Sequence, residues 1–443
     1  MGLYERLRAT HGPVAPVQLD GDVPAWLLLG YRENLEVTRT PSRFSRDSRH
    51  WRDLRQGNIA PDSTLLPVIA WQPTCMFADG EEHERLRAAV TESMGRFDRR
   101  GIRRHVTRLA NQLIDDFSGA GRAELLVQFA QQLPMLVLTH LIGMPDEDGP
   151  RLVEASRELI KGSESAVRSN EYVTEAVRQL VARKHVSPGE DLASWLLTHR
   201  SDLTDDEVVQ HLRLVLLTGN ETTTNLIVNT LRMVLTDPRF RASLAGGHMT
   251  LPDAVEQVLW NEPPLAVVPG RWATADTELA GQQIKAGDML LLGLAAGNVD
   301  PVIRPDLAAP MHGNRSHLAF SGGPHECPGQ DIGRAITDSG IDALLIRLPD
   351  LRLSVAESEL SWVSSWVARH LVSLPVEFSA RRPEPENADA LGAQAPVPGS
   401  ARRPMPGPAP LAPPMPPRFP APPERSAPAP TRWQRFRRWL RGW

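Results

Sequence analysis

The chain predicts a mainly helical α+β domain with small β-sheets, and three observations carry that expectation. First, Thr204-Asp-Asp-Glu207 is a capping box and Asp237-Pro238 is a stop signal. Between them lie some 30 residues, ~45–50 Å of helix at a rise of about 1.5 Å per residue, enough to cross a whole domain. Second, the strand-like segments, near 267–275, 280–284, 288–292 and 350–378, are short. Third, helices and strands do not alternate as a βαβ array, so a parallel doubly wound sheet is excluded.

In chain order, residues 14–29 read as a hairpin, with Val14–Leu19 and Ala25–Leu29 flanking the turn residues Asp20-Gly21. From Glu81 to about Leu244 the pattern is mostly helical, the long helix included. Another helix covers 251–262, and a last one runs from Pro328 to about Leu348. Residues 1–380 therefore read as one domain. From Arg381 to Pro430 the composition changes to Pro, Ala and Arg, with 17 of the 40 prolines, which predicts an extended, disordered linker. A basic, Trp-rich segment, 431–443, follows.

Composition narrows the function. A net charge of −4 gives no argument for nucleic-acid binding. Two cysteines, Cys75 and Cys327, form no disulfide framework, so a reducing cytoplasm is expected. Apolar runs such as Leu133–Met144 are shorter than the ~18–20 residues that cross a bilayer, and the start MGLYERLRAT lacks a signal-peptide apolar core.

The chemistry starts at Phe320-Ser-Gly-Gly-Pro-His-Glu-Cys327-Pro-Gly329. A glycine-rich loop leads to a cysteine with a helix beginning after it, Pro328 at the first helical position. Amide groups and the helix dipole there favour a thiolate, a soft ligand for iron. Gly323 and Gly329 let the backbone approach a flat cofactor. A lone cysteine more commonly packs as a small buried residue, which is the reading given to Cys75; the spacing around Cys327 reverses those odds.

The run Phe-x-x-Gly-x-His-x-Cys-x-Gly, preceded by His317-Leu-Ala, resembles the haem-binding loop of the cytochrome P450 family. Thr218-Gly-Asn-Glu221-Thr222-Thr223 resembles that family's oxygen-binding segment, with Thr218 in place of the usual alanine. The resemblance covers roughly residues 10–378. It implies haem b between the long central helix and the Cys loop, with Cys327 as axial ligand and the only metal-binding residue. It implies Glu221 and Thr222 as the catalytic acid–alcohol pair, because O–O cleavage consumes protons, and Gly219 as room for the haem face. His83 and Arg87, four apart on one helix face, with Arg271 and His325, are expected at the propionate edge. Phe320, Gly323 and Gly329 complete the expected cofactor site. The activity implied is a monooxygenase acting on a small organic substrate, with electrons from a ferredoxin and ferredoxin reductase. Arginines 96, 99, 100, 103 and 104 are a candidate docking surface. Segments 50–80 and 160–190, with Trp51 and Trp71 in the first, are expected to shape specificity.

One departure stands out. Where the family carries Glu-x-x-Arg, this chain has Gln257 and Trp260, within Glu256-Gln-Val-Leu-Trp260, and the third partner's arginine slot falls near Leu307. All three charges are expected to be absent together, which suits a repacked core, since losing one member of a buried ion pair costs ~3–5 kcal/mol. The variant resembles an actinobacterial subfamily with the same Glu-Gln-x-Leu-Trp sequence. It leaves open an alternative, a haem-binding signalling or scaffold protein with little turnover. In 431–443, Trp433, Phe436, Trp439, Leu440 and Trp443 fall on one helical arc with arginines opposite. That pattern suits a peripheral contact with an anionic inner membrane face or a signalling partner's groove, against the commoner disordered basic end.

Overall fold

The long helix organises the molecule. Thr204 Oγ1 accepts from the Glu207 amide and the Glu207 carboxylate accepts from the Thr204 amide, closing the expected capping box, and the helix then runs Asp205–Thr236 without a break. The computed structural model describes residues 2–61, 63–161, 166–237, 250–309, 311 and 313–381. The linker from 382 onward and the segment 431–443 lie outside the described residues.

The longer helices are α1 (Gly2–His11), α2 (Tyr31–Arg39), α3 (Gly80–Met94), α4 (Arg99–Ser118), α5 (Leu133–Ile142), α6 (Gly149–Lys161), α7 (Ala166–Val186), α8 (Leu192–Leu197), α9 (Asp205–Thr236), α10 (Leu251–Asn261) and α11 (Gln330–Arg347). Helices α4, α5, α9 and α11 enclose the main core, built on Val106, Ile114, Phe129, Leu133, Ile227, Leu231, Ile341 and Leu344, all essentially buried. No helix among the described residues is long and apolar enough to cross a membrane.

The strands are short, as expected. β1 (Val14–Leu19) and β2 (Val23–Leu28) form the predicted hairpin, and β2 continues in parallel onto β8 (Met289–Leu292). With β3 (Phe44–Ser45) and β5 (Val268–Ala273) they make a sheet in the order β1-β2-β8-β5-β3. β4 (Arg122–Glu124), β12 (Pro375–Glu377) and β9 (Arg352–Leu353) form a second sheet. Two small hairpins complete the set, β6 (Thr277–Leu279) with β7 (Gln282–Ile284), and β10 (Trp362–Ser364) with β11 (Arg369–Leu371).

Two expectations need correction. Helix α11 starts at Gln330 with Gly329 as its cap, so Pro328 precedes the helix instead of opening it. Trp51 is fully buried in the core beside Trp272, ring centroids 6.5 Å apart, and lines no ligand surface.

Candidate active site

Cys327 sits at the turn into α11. Its amide donates to the Phe320 carbonyl at 2.9 Å, which folds the loop back on itself. Burial pushes the thiol up; the Gly329 amide and the guanidinium groups of Arg87 and Arg334 pull it down without overcoming burial. Within the protein alone, burial outweighs the helix end and the thiol stays above its ordinary value. Gly323 lies where the loop meets the end of α2. Its φ is +67°, and a Cβ there would lie 2.3 Å from the Thr38 carbonyl oxygen, so the glycine lets the loop press on the end of α2.

Beside the loop lies a buried cluster of two imidazoles and two guanidinium groups. His83 of α3 and His325 stack with ring centroids 4.2 Å apart. Arg271 of β5 is 2% exposed, and burial followed by the nearby Arg46 guanidinium holds its pKa well below the ordinary value. Asp79, just before α3, is the shared acceptor: Ser45 Oγ donates to it at 2.5 Å and the Arg46 amide at 2.8 Å, and His325 Nε2 lies 3.2 Å away. Burial acts against Asp79, but those bonds outweigh it and hold the carboxyl at about 2. His325 is pushed down to about 3, chiefly by burial. Arg271 Nη1 and His83 Nε2, both buried, have no hydrogen-bond partner within the protein. A buried guanidinium N–H needs an acceptor, and the His83 nitrogen beside it can donate in the matching tautomer; a two-armed anion such as the propionate edge of haem fits them. Arg87 approaches from α3 and donates to the Glu326 carbonyl of the Cys loop.

Helix α9 passes the same region, the Thr223 hydroxyl lying 3.6 Å from where a Cβ on Gly333 of α11 would be. Among the partly exposed residues of its middle, which also include Arg213, Val215, Leu217 and Gly219, Thr218 is exposed and Leu214, Glu221 and Thr222 are half-buried. Leu214, Thr218, Glu221 and Thr222 recur at helical spacing and form one stripe. Burial raises the Glu221 carboxyl. The Thr222 hydroxyl donates to the Thr218 carbonyl at 2.8 Å, and the Thr218 hydroxyl to Leu214 at 2.6 Å. At Gly219 a Cβ would lie 3.0 Å from Leu138 Cδ1, so the glycine permits close packing of α9 on α5.

The altered Glu-x-x-Arg region is rebuilt. Trp260 is 2% exposed and its indole N–H donates to the Asn314 carbonyl at 2.8 Å. Gln257 accepts from the Met311 amide at 3.2 Å. The expectation that every charge is lost fails at one point. Arg304, three residues before the Leu307 slot, is buried, lies over the Trp260 ring at 5.8 Å and donates to Asn261 Oδ1 and the Leu307 carbonyl. The cation persists with an aromatic face and neutral acceptors as partners.

On the neighbouring face Glu256 is engaged fully. Arg334 of α11 donates to both its oxygens, at 2.7 and 3.2 Å, His317 Nε2 lies 2.9 Å away and Arg315 Nε 3.6 Å. Neither this cluster nor Arg46 and Asp79 figured among the sequence expectations. The available signal was a charged residue within the apolar helix Ala254–Trp260, which is rarely buried unless paired. Most of the proposed docking arginines are engaged within the chain: Arg96 with Glu190, Arg99 with Asp331, Arg103 with Asp338 and Arg104 with Asp98.

The chain is 30% identical to 2-hydroxy-5-methyl-1-naphthoate 7-hydroxylase of Streptomyces carzinostaticus over 86% of this chain and 95% of that protein. It is 31% identical to cytochrome P450-SU2 of Streptomyces griseolus, over 83% of this chain and 91% of that protein. The chain belongs to the cytochrome P450 family. Among solved structures, CYP154C4 from Streptomyces sp. W2061 superimposes with a TM-score of 0.77 at 28% identity, covering 85% of this chain and 94% of that one. No protein-family model matches the chain. As a P450 monooxygenase it is a haem enzyme acting on a small organic molecule.

Proposed function

We propose that Cys327 ligates the iron of haem b, with His83, Arg87, Arg271 and His325 at the propionate edge, and that the enzyme inserts one atom of dioxygen into its substrate. The observation that carries this reading is the pair of unpartnered buried nitrogens, Arg271 Nη1 and His83 Nε2, beside the Cys327 loop. When bound, haem supplies dioxygen activation. The protein's own part is to hold and deliver protons: burial keeps a proton on Glu221 to higher pH than usual, and the adjacent Thr222 hydroxyl can pass one along the exposed stripe of α9. Thr218, exposed in that stripe, narrows the space beside the pair.

Electrons come from a ferredoxin and its reductase. A recess of about 240 Å³ on the outer side of the Cys loop is bordered by Arg39, Arg315, Glu326 and Gln330, a short path from Cys327 for a partner with an acidic surface. Arg39→Glu is expected to slow reduction by ferredoxin and weaken its salt dependence.

The deciding experiment is the carbon-monoxide difference spectrum of the dithionite-reduced protein, followed by dioxygen-dependent turnover of a substrate panel with ferredoxin and reductase. A Soret band at the thiolate position, lost in Cys327→Ala, supports the reading. A band at the position of a displaced thiolate in the wild type overturns it.

A further inference from the structure

Glu256 is placed to act on the Cys327 loop through two routes. The first runs through His317. Its Nδ1 accepts the Ala319 amide at 3.2 Å, which leaves Nε2 to donate to Glu256 at 2.9 Å. His317 thereby caps the tight turn Leu318–Phe320. The second runs through Arg334, whose guanidinium is held on Glu256 and lies over the Phe320 ring at 4.5 Å. Both routes end at Phe320, whose carbonyl accepts the Cys327 amide. All three charged or polar members are nearly buried, Glu256 at 3%, His317 at 6% and Arg334 at 8% exposed. Gln257 takes no hydrogen bond from the cluster and bonds to the Met311 amide instead, while Trp260, bonded to the Asn314 carbonyl, meets the His317 ring edge-on at 6.0 Å.

We propose that Glu256 is a positioning residue for the Cys327 loop, setting the Phe320–Cys327 turn through His317 and Arg334 in a chain whose Glu-x-x-Arg positions are Gln257 and Trp260. The proposal rests on Cys327 being the iron ligand.

The test compares Glu256→Gln, Glu256→Asp and Gln257→Ala with the wild type, all as purified holoenzyme. A carboxylate accepts from His317 and Arg334 at once; an amide must turn its NH₂ toward one of those donors. In Glu256→Gln, amide hydrogen exchange in the peptide 317–327 is expected to rise about tenfold or more relative to the helical core. The fraction of carbon-monoxide complex at the thiolate position is expected to fall with it. Glu256→Asp, which keeps the charge with a shorter reach, is expected between the two. Gln257→Ala removes only the bond to Met311 and is expected to leave 317–327 at the wild-type rate. Unchanged exchange in Glu256→Gln overturns the proposal, as does an equal rise in Gln257→Ala. Where Glu256→Gln does not accumulate folded, a wild-type exchange rate for 317–327 in Glu256→Asp overturns it. Absence of the thiolate band in the wild type defeats the ligand reading separately, before any variant is compared.

Discussion

Two buried charge clusters flank the Cys327 loop, and they differ in closure. Glu256 and Arg271 are equally hidden, 3% and 2% exposed. Around Glu256 every strong donor meets an acceptor, and the bonds from His317 and Arg334 outweigh burial to lower its pKa. Around Arg271 the cations Arg46 and Arg271 and two imidazoles face Asp79 as the shared carboxylate, and Arg271 Nη1 and His83 Nε2 remain without partners. Burial alone leaves the two clusters alike; what separates them is whether the hydrogen-bond inventory closes within the cluster.

The strongest way to break this comparison is to open the closed cluster. Arg334→Leu takes the two guanidinium bonds from Glu256, leaving it with His317 and the exposed Arg315, and is expected to cost ~3 kcal/mol in urea unfolding; a loss below the spread of surface mutations shows that the cluster is not closed. Next comes Asp338, 7% exposed, which burial first and the Glu256 charge in addition raise, against the pull of Arg103, to about 6. Folded Asp338 holds its proton above the ordinary value of 3.8, so its contribution to stability is full below that pH and is lost as pH rises through about 6. Asp338→Asn cannot ionise and is expected to gain up to ~3 kcal/mol on the wild type between pH 4 and 7. Parallel stability–pH curves for the two proteins remove the buried charge from the account.

Arg271→Met should carry opposite signs in two states. With haem stripped, removing a buried unpaired cation is expected to stabilise the chain by ~1–3 kcal/mol. With haem, the loss of a propionate partner is expected to speed haem transfer to apomyoglobin roughly 10–100-fold. Destabilisation in both states contradicts the open cluster. Trp260→Phe, which removes the donor to Asn314 and part of the surface under Arg304, is expected to cost ~1–2 kcal/mol by thermal unfolding. The smallest effect belongs to Thr218→Ala, within ~0.5 kcal/mol in stability, with a measurable change in the spin-state titration of bulky ligands.

What could be read in the sequence was local. The α9 capping box, the β1–β2 turn and the helix after the Cys loop depend on neighbours a few residues away, so spacing sufficed, to within two residues at Pro328. The loop motif and His83, Arg271 and His325 were legible through the family resemblance. The aim of side chains across the fold was not. A cation, Arg304, stands three residues before the slot at Leu307 where none was expected, Trp51 turns into the core, and Gly219 and Gly323 serve helix contacts, because each depends on a partner more than 35 residues away in the chain, respectively Trp260, Trp272, Leu138 and Thr38. Asp79 was passed over because a carboxylate before a helix reads as an ordinary N-terminal residue, although here it is the acceptor shared by Ser45, Arg46 and His325, from two segments far apart in the chain.

The parallel pairing of β2 with β8 also sets a timetable. Leu28 leaves the ribosome 264 residues before its partner Leu292. At about 5–20 residues per second the hairpin waits roughly 15–50 s with one apolar edge uncovered. Pro16 in β1 and Pro24 in β2 each remove a backbone donor from that waiting hairpin, which makes it a poorer template for strands of other nascent chains. The same prolines that weaken a finished sheet protect an unfinished one.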